Sequence, residues 1–148
     1  EIVLDELDNC DLPAETSVIV VMGVTSPFLS SVRRKMKSLP FKTQIKSNVN
    51  NMAELMANSD FAIGASGTTT WERCCLGLPS IQITTAQNQT IIADYISKSG
   101  AAISITVDQL GQLKSWIIIL KRQIKDMAKK SSKITDGAGL TQVLNCLK

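Results

Sequence analysis

The sequence has no histidine among its 148 residues. No imidazole is therefore available as a general base, as the partner of a serine or cysteine nucleophile, or as a metal ligand. Aromatic residues make up only 4%. Trp71, Trp116, Tyr95, Phe28, Phe41 and Phe61 do not interleave with the basic runs at 33–37 and 121–133. Those runs read as solvated helix faces, and no nucleic-acid partner is expected. No C-x-x-C motif occurs among Cys10, Cys74, Cys75 and Cys146. Without histidine a zinc site would need all four thiolates at awkward spacings, so neither a metal nor a cofactor is expected. Reduced, mostly buried thiols and a cytoplasmic location fit better. No apolar run approaches the roughly 18 residues of a membrane span and no signal-peptide pattern opens the chain, so no membrane partner is expected.

The length fits one domain of ordinary size, and 44% hydrophobic residues with 20% charged ones favour a packed core over disorder. The first residue is Glu1, and the acidic segment 1–17, with Asp11-Leu12-Pro13, reads as a linker from a missing N-terminal domain. Residues 18–148 read as one further domain. Val18-Ile19-Val20-Val21-Met22 is an unbroken apolar run that suits a strand covered on both faces. Further strands are expected at 41–45, 61–63, 81–83 and 102–105, and helices at 28–37, from Asn51, at 68–76, at 88–98, from Asp108 onward and around Leu140, Val143, Leu144 and Leu147. Gly77 and Gly100 serve as helix stops. This alternation implies an α/β fold, a three-layer Rossmann-like, doubly wound parallel sheet, whose ligands bind beyond the carboxyl ends of the strands.

The most informative stretch is Gly64-Ala65-Ser66-Gly67-Thr68-Thr69-Thr70-Trp71-Glu72. Small residues admit a ligand to the backbone, and amides at a helix start attract an anion such as a pyrophosphate. Hydroxyls at Ser66, Thr68 and Thr69 add donors, and Glu72 is placed to accept hydrogen bonds from a ribose diol. Thr69-x-x-Glu72 is equally a capping box, with Glu72 folding back on its own helix start, and spacing does not decide between the two. The stretch is no Walker loop and lacks both G-x-G-x-x-G and G-x-S-x-G.

The runs Asn51-Met52-Ala53-Glu54-Leu55-Met56, Asp60-Phe61-Ala62-Ile63-Gly64 and Gly67-Thr68-Thr69-Thr70-Trp71-Glu72-Arg73-Cys74-Cys75-Leu76-Gly77-Leu78-Pro79 resemble the nucleotide-sugar hydrolases of pseudaminic acid biosynthesis, and Asn88-Gln89 and Asp136-Gly137 extend the likeness. More distantly the chain is similar to the MurG-like glycosyltransferases of GT-B architecture. The resemblance implies the C-terminal half of a GT-B fold and a UDP-sugar hydrolase that releases UDP from a diacetamido-trideoxy-hexose by water attack. It implies as partners a UDP-sugar and the missing N-terminal domain. The catalytic histidine would lie in that domain, leaving the isolated chain inactive.

Carried over by position, Glu72 would hold the uridine ribose and Gly67, Thr68 and Thr69 the diphosphate, with Gly23 and Ser66 as further UDP-binding residues. Lys46, Ser47 and Asn48 would border the uracil. Asn88 and Gln89 would face the sugar near the leaving oxygen; an N-cap is the commoner use of an asparagine at 88, and only the resemblance favours the sugar. Trp71, Met52 and Met56 read as core. Val24 stands where the resembled family has a second glycine, and its isopropyl group would crowd a ligand there. Two other functions share these residues: the donor-binding domain of a GT-B glycosyltransferase, and a non-catalytic module that keeps the fold.

Overall fold

The computed structural model describes residues 1–147. The chain forms two compact units, residues 1–52 with 110–114 and residues 53–109 with 115 onward.

The first unit opens with α1 (Ile2–Asp8), where a linker was expected. Leu4 and Leu7 are buried, as is Cys10, so the three-residue spacing of apolar groups outweighs the acidic composition. Strand β1 (Ser17–Val21) leads to α2 (Leu29–Met36) and β2 (Lys42–Lys46), and the strands pair in parallel from Ser17↔Lys42 to Val21↔Lys46. Helix α2 buries Val32 and Met36 and carries Arg33, Arg34 and Lys35 in its last turn, where cations suit the helix dipole. Lys35 bridges Asp5 and Asp8 of α1 at 2.9 and 3.2 Å. Strand β1 alternates in burial, with Ile19 and Val21 exposed, rather than being covered on both faces. β-Branched side chains favour extended backbone whether or not a second layer covers them, so the unbroken run overstates the burial.

In the second unit α3 (Met52–Ala57) precedes β3 (Ala62–Ala65), α4 (Thr69–Cys75), β4 (Ser80–Thr84), α5 (Thr90–Lys98) and β5 (Ile103–Thr106); α6 (Leu113–Ser131) and α7 (Gly139–Cys146) complete the chain. The strands run parallel in the order β3-β4-β5. Gly64, Gln82 and Ser104 stand in register on one face. Arg73 of α4 lies over Gly64, and Ser104 Oγ donates to the Ala93 carbonyl of α5, so both crossover helices cover that face. This is the arrangement that two successive right-handed βαβ units produce.

Central β4 is buried from Ser80 to Ile83. Cys74, Ile96, Ala101 and Ala102 form one packed cluster, edged by Ile92 and Ile134. Ile96 is fully buried there. Ile96→Ala is expected to cost about 2–5 kcal/mol of stability, readable by urea unfolding. Helices α4 and α5 stop as the sequence expects. At α4 the Leu78 amide donates to Arg73 O and the Gly77 amide to Cys74 O, with Gly77 at φ 64°. At α5 the Ala101 amide bonds Ile96 O and the Gly100 amide Ser97 O. Both are Schellman stops that glycine makes cheap. Met52 and Met56 are half-buried and Trp71 is 39% exposed, so none is deep core. On α7, Leu140, Val143, Leu144 and Leu147 are all more than half exposed.

Candidate functional site

The geometry that matters in the second unit lies beyond the carboxyl ends of β3 and β4. The Ser66 amide donates to Ile83 O at 3.1 Å and extends the pairing by one residue before the chain turns into α4. The amides of Thr70 and Trp71 are satisfied by Gly67 O and Thr68 O. Those of Gly67, Thr68 and Thr69 find no acceptor among the described residues. Gly67 has neither a positive φ nor any atom within 4 Å of the place a Cβ would take. Neither backbone conformation nor packing within the chain calls for a glycine there. The open space in front of it is what an approaching ligand would use.

The capping box does not form. Thr68 is the N-cap residue, with no side-chain cap bond, and Glu72 makes no hydrogen bond or ion pair among the described residues. Its exposed carboxylate stands one turn from the unpartnered amides. Thr68 and Thr69 are exposed beside them, whereas Ser66 is fully buried and its Oγ has no partner. Sequence reasoning missed Arg73. This residue is only 4% exposed, and its Nη2 donates to Ala65 O at 2.9 Å and to Thr70 Oγ1 at 3.2 Å. Burial lowers its pKa from the ordinary guanidinium value, opposed by Cys74 and Glu72. A cation five residues into an expected helix was readable in sequence; its burial was not.

Beyond β4, Gln89 Oε1 accepts from the Thr85 amide and hydroxyl at 3.0 and 3.2 Å. That carbonyl is thus committed to the turn. Asn88 lies exposed in the 3-10 turn Gln87–Gln89 and is not the N-cap of α5, a place that Gln89 takes. Thr106 and Gln109 repeat the same lock after β5.

The other expected ligand contacts belong to the first unit and form a group of their own. The Met22 amide donates to Lys46 O at 3.1 Å, which keeps Gly23 and the segment Lys46, Ser47 and Asn48 at the carboxyl ends of paired strands. Asn48 holds φ 52°, a conformation that non-glycine residues adopt sparingly. Val24 is 54% exposed, and no atom comes within 4 Å of a Cβ at Gly23.

Among the described residues no group of three or more His, Cys, Asp or Glu is placed to hold a metal ion. Cys10 and Cys74 are buried and Cys75 and Cys146 exposed, so only half of the thiols match the buried reading. Burial raises the Cys74 pKa, opposed by the neighbouring Ser131 hydroxyl and the charge of Arg73. Thiol titration is expected to give two fast groups and two that react only on unfolding. Alkylation followed by peptide mapping identifies them. No helix among the described residues is long and apolar enough to cross a membrane.

The family described as "Glycosyltransferase family 28 C-terminal domain" matches residues 1–141. Similar curated proteins include the spore coat polysaccharide biosynthesis protein SpsG of Bacillus subtilis, 28% identical over 140 residues, covering 90% of this chain and 41% of that protein. A UDP-N-acetylglucosamine–N-acetylmuramyl-(pentapeptide) pyrophosphoryl-undecaprenol N-acetylglucosamine transferase of Desulforamulus reducens is 30% identical over 114 residues, covering 70% of this chain and 31% of its own. The crystal structure of Acinetobacter baumannii MurG shares the fold at TM-score 0.71 and 16% identity, over 98% of this chain and 47% of that one. The chain thus spans less than half the length of these relatives. The α/β, Rossmann-like half of a GT-B fold holds. The expected UDP-sugar hydrolase does not: the matched family is a glycosyltransferase domain and the named activity among these relatives is a transfer, so that assignment is corrected. The residues quoted for the pseudaminic acid likeness do not separate hydrolase from transferase, because both grip the same kind of donor.

Proposed function

We propose, because the chain belongs to the glycosyltransferase family 28 C-terminal domain family, that it is the part of a glycosyltransferase that binds the nucleotide-sugar donor. The relatives named as UDP-N-acetylglucosamine transferases make a UDP-sugar the first candidate. One observation carries the reading: the unpartnered amides of Gly67, Thr68 and Thr69 and the unpaired carboxylate of Glu72 share one strand-to-helix turn. The amides would take the diphosphate and Glu72 the ribose hydroxyls. When the bond from the anomeric carbon to the diphosphate oxygen breaks, the electron pair stays on that oxygen, and fixed N–H donors stabilise the charge that develops. Asn88 and the Gln89 side-chain amide, beyond the neighbouring strand, would face the sugar. The acceptor hydroxyl and the group that deprotonates it are assigned to no residue of this chain.

Thermal unfolding with and without UDP tests the proposal. At a hundredfold excess over Kd, ligand binding adds about 2.7 kcal/mol of stability. For a chain of this length that is a rise in Tm of about 5–10 °C. An unchanged Tm at millimolar UDP would overturn it.

A further inference from the structure

Arg73 is a buried cation with no ion pair among the described residues, the exposed Glu72 carboxylate acting on it only from beyond ion-pair distance. Its residue is 4% exposed, no carboxylate lies within ion-pair distance of it among the described residues, and its Nε has no hydrogen-bond partner. Glu72, its neighbour in sequence, is exposed and unpaired. A guanidinium stays charged in a protein, and a buried charge without a partner is costly. Two more unsatisfied groups share its surroundings. Gln82, fully buried with both amide atoms unpartnered, stands in register with Gly64 on the face that Arg73 covers. The buried Ser66 hydroxyl follows directly on Ala65, whose carbonyl Arg73 holds. Core stability alone does not retain such a layer, because an apolar replacement of similar volume would be neutral or better.

The placement is specific. Nη1 lies 2.8 Å from where a Cβ on Gly64 would stand, so glycine at 64 is what lets the guanidinium reach the strand end. Nη2 bonds Ala65 O on one side of the turn and Thr70 Oγ1 on the other. Arg73 thereby ties the last residue of β3 to the first turn of α4, on either side of the segment 67–69 whose amides have no acceptor among the described residues.

We infer that Arg73 is a positioning residue of the diphosphate site, fixing the turn 64–68 through Ala65 O and Thr70 while its unpaired charge awaits the anion that binds on the other side of that turn. This rests on the nucleotide-donor reading and extends it to a residue that never touches the ligand. It also gives Gly64 a role distinct from that of Gly67: room for a side chain behind the turn rather than for a ligand in front of it.

The test measures UDP affinity by calorimetry and, separately, the ligand-free Tm for Arg73→Met, Arg73→Lys, Gly64→Ala and the double variant Gly64→Ala/Arg73→Met. Arg73→Met is expected to lose about tenfold or more in UDP affinity with little change in Tm, since the lost bonds to Ala65 O and Thr70 Oγ1 are offset by removal of an unpaired buried charge. Arg73→Lys is expected to recover part of the loss by restoring charge without the planar fork. Gly64→Ala is expected to lower affinity by displacing the guanidinium, and to add nothing once Arg73 is methionine, the non-additivity of residues in contact. UDP affinity within twofold of the unaltered chain in Arg73→Met would overturn the inference alone. So would equal, additive losses from Gly64→Ala in both backgrounds, or losses that follow Tm. Should Arg73→Met not fold, Arg73→Lys and Gly64→Ala decide by the same two readouts. If the unaltered chain binds no UDP, the donor reading falls and the inference falls with it.

Discussion

Gly67→Val is expected to lower UDP affinity by about a hundredfold or more while moving the unfolding free energy by no more than about 1 kcal/mol. The first figure follows from blocking two or more amide–phosphate hydrogen bonds, each worth about 1.5–3 kcal/mol when the acceptor is charged. About 2.7 kcal/mol already corresponds to a hundredfold change in Kd. The second follows from the structure: a Cβ at residue 67 meets no atom within 4 Å, and the backbone there is not left-handed. Where the native backbone tolerates a side chain, removing a glycine also reduces the freedom of the unfolded chain, which is mildly stabilising. Calorimetry and urea titration of the same variant separate the two effects. A variant that loses stability and binding in step would show Gly67 to be a packing residue.

Glu72→Ala is expected to cost about a hundredfold or more in UDP affinity but only about 10- to 100-fold in affinity for the 2′-deoxy analogue, which keeps one of the two ribose bonds. A carboxylate accepting from a diol forms charge-assisted bonds of about 1.5–3 kcal/mol each. The analogue removes one donor, so variant and analogue together form a cycle whose non-additivity measures the contact directly. The cost in stability is small because Glu72 is exposed and forms no cap bond. What is lost is its placement in the first turn of α4, about 0.3–1 kcal/mol. Had the capping box formed, the same substitution would lower Tm and leave the cycle additive.

The alternation of elements was legible because glycine and proline punctuate it: each strand ends near a small-residue turn, and Gly77 and Gly100 stop their helices where the sequence places them. The expectation failed where composition stood in for geometry. Segment 1–17 is acidic, yet Leu4, Leu7 and Cys10 fall on one helical face and are buried. The β-branched run 18–22 is apolar on both faces, yet one of them is exposed, because strand propensity and burial are separate properties. Gly67, Thr68, Thr69 and Glu72 stood out in sequence as a candidate group because an anion-binding turn needs small residues and a nearby acceptor in a fixed order. Their capping alternative could be dismissed only from coordinates, since Thr69-x-x-Glu72 fits both uses. Arg73 and Gln82 were not legible. Their significance lies in buried groups left unpartnered, the Arg73 Nε and the Gln82 amide, and only three-dimensional placement reveals a missing partner. Nor could transfer be told from hydrolysis by residues whose proposed task, holding the leaving nucleotide, is common to both.

Amide mapping of the 15N-labelled chain during UDP titration bears most directly on the central claim. Progressive shifts at the Gly67, Thr68 and Thr69 amides, weaker with uridine and absent in Gly67→Val, are the expected result. A spectrum in which those three resonances stay fixed up to millimolar UDP, while the chain remains folded, would contradict it.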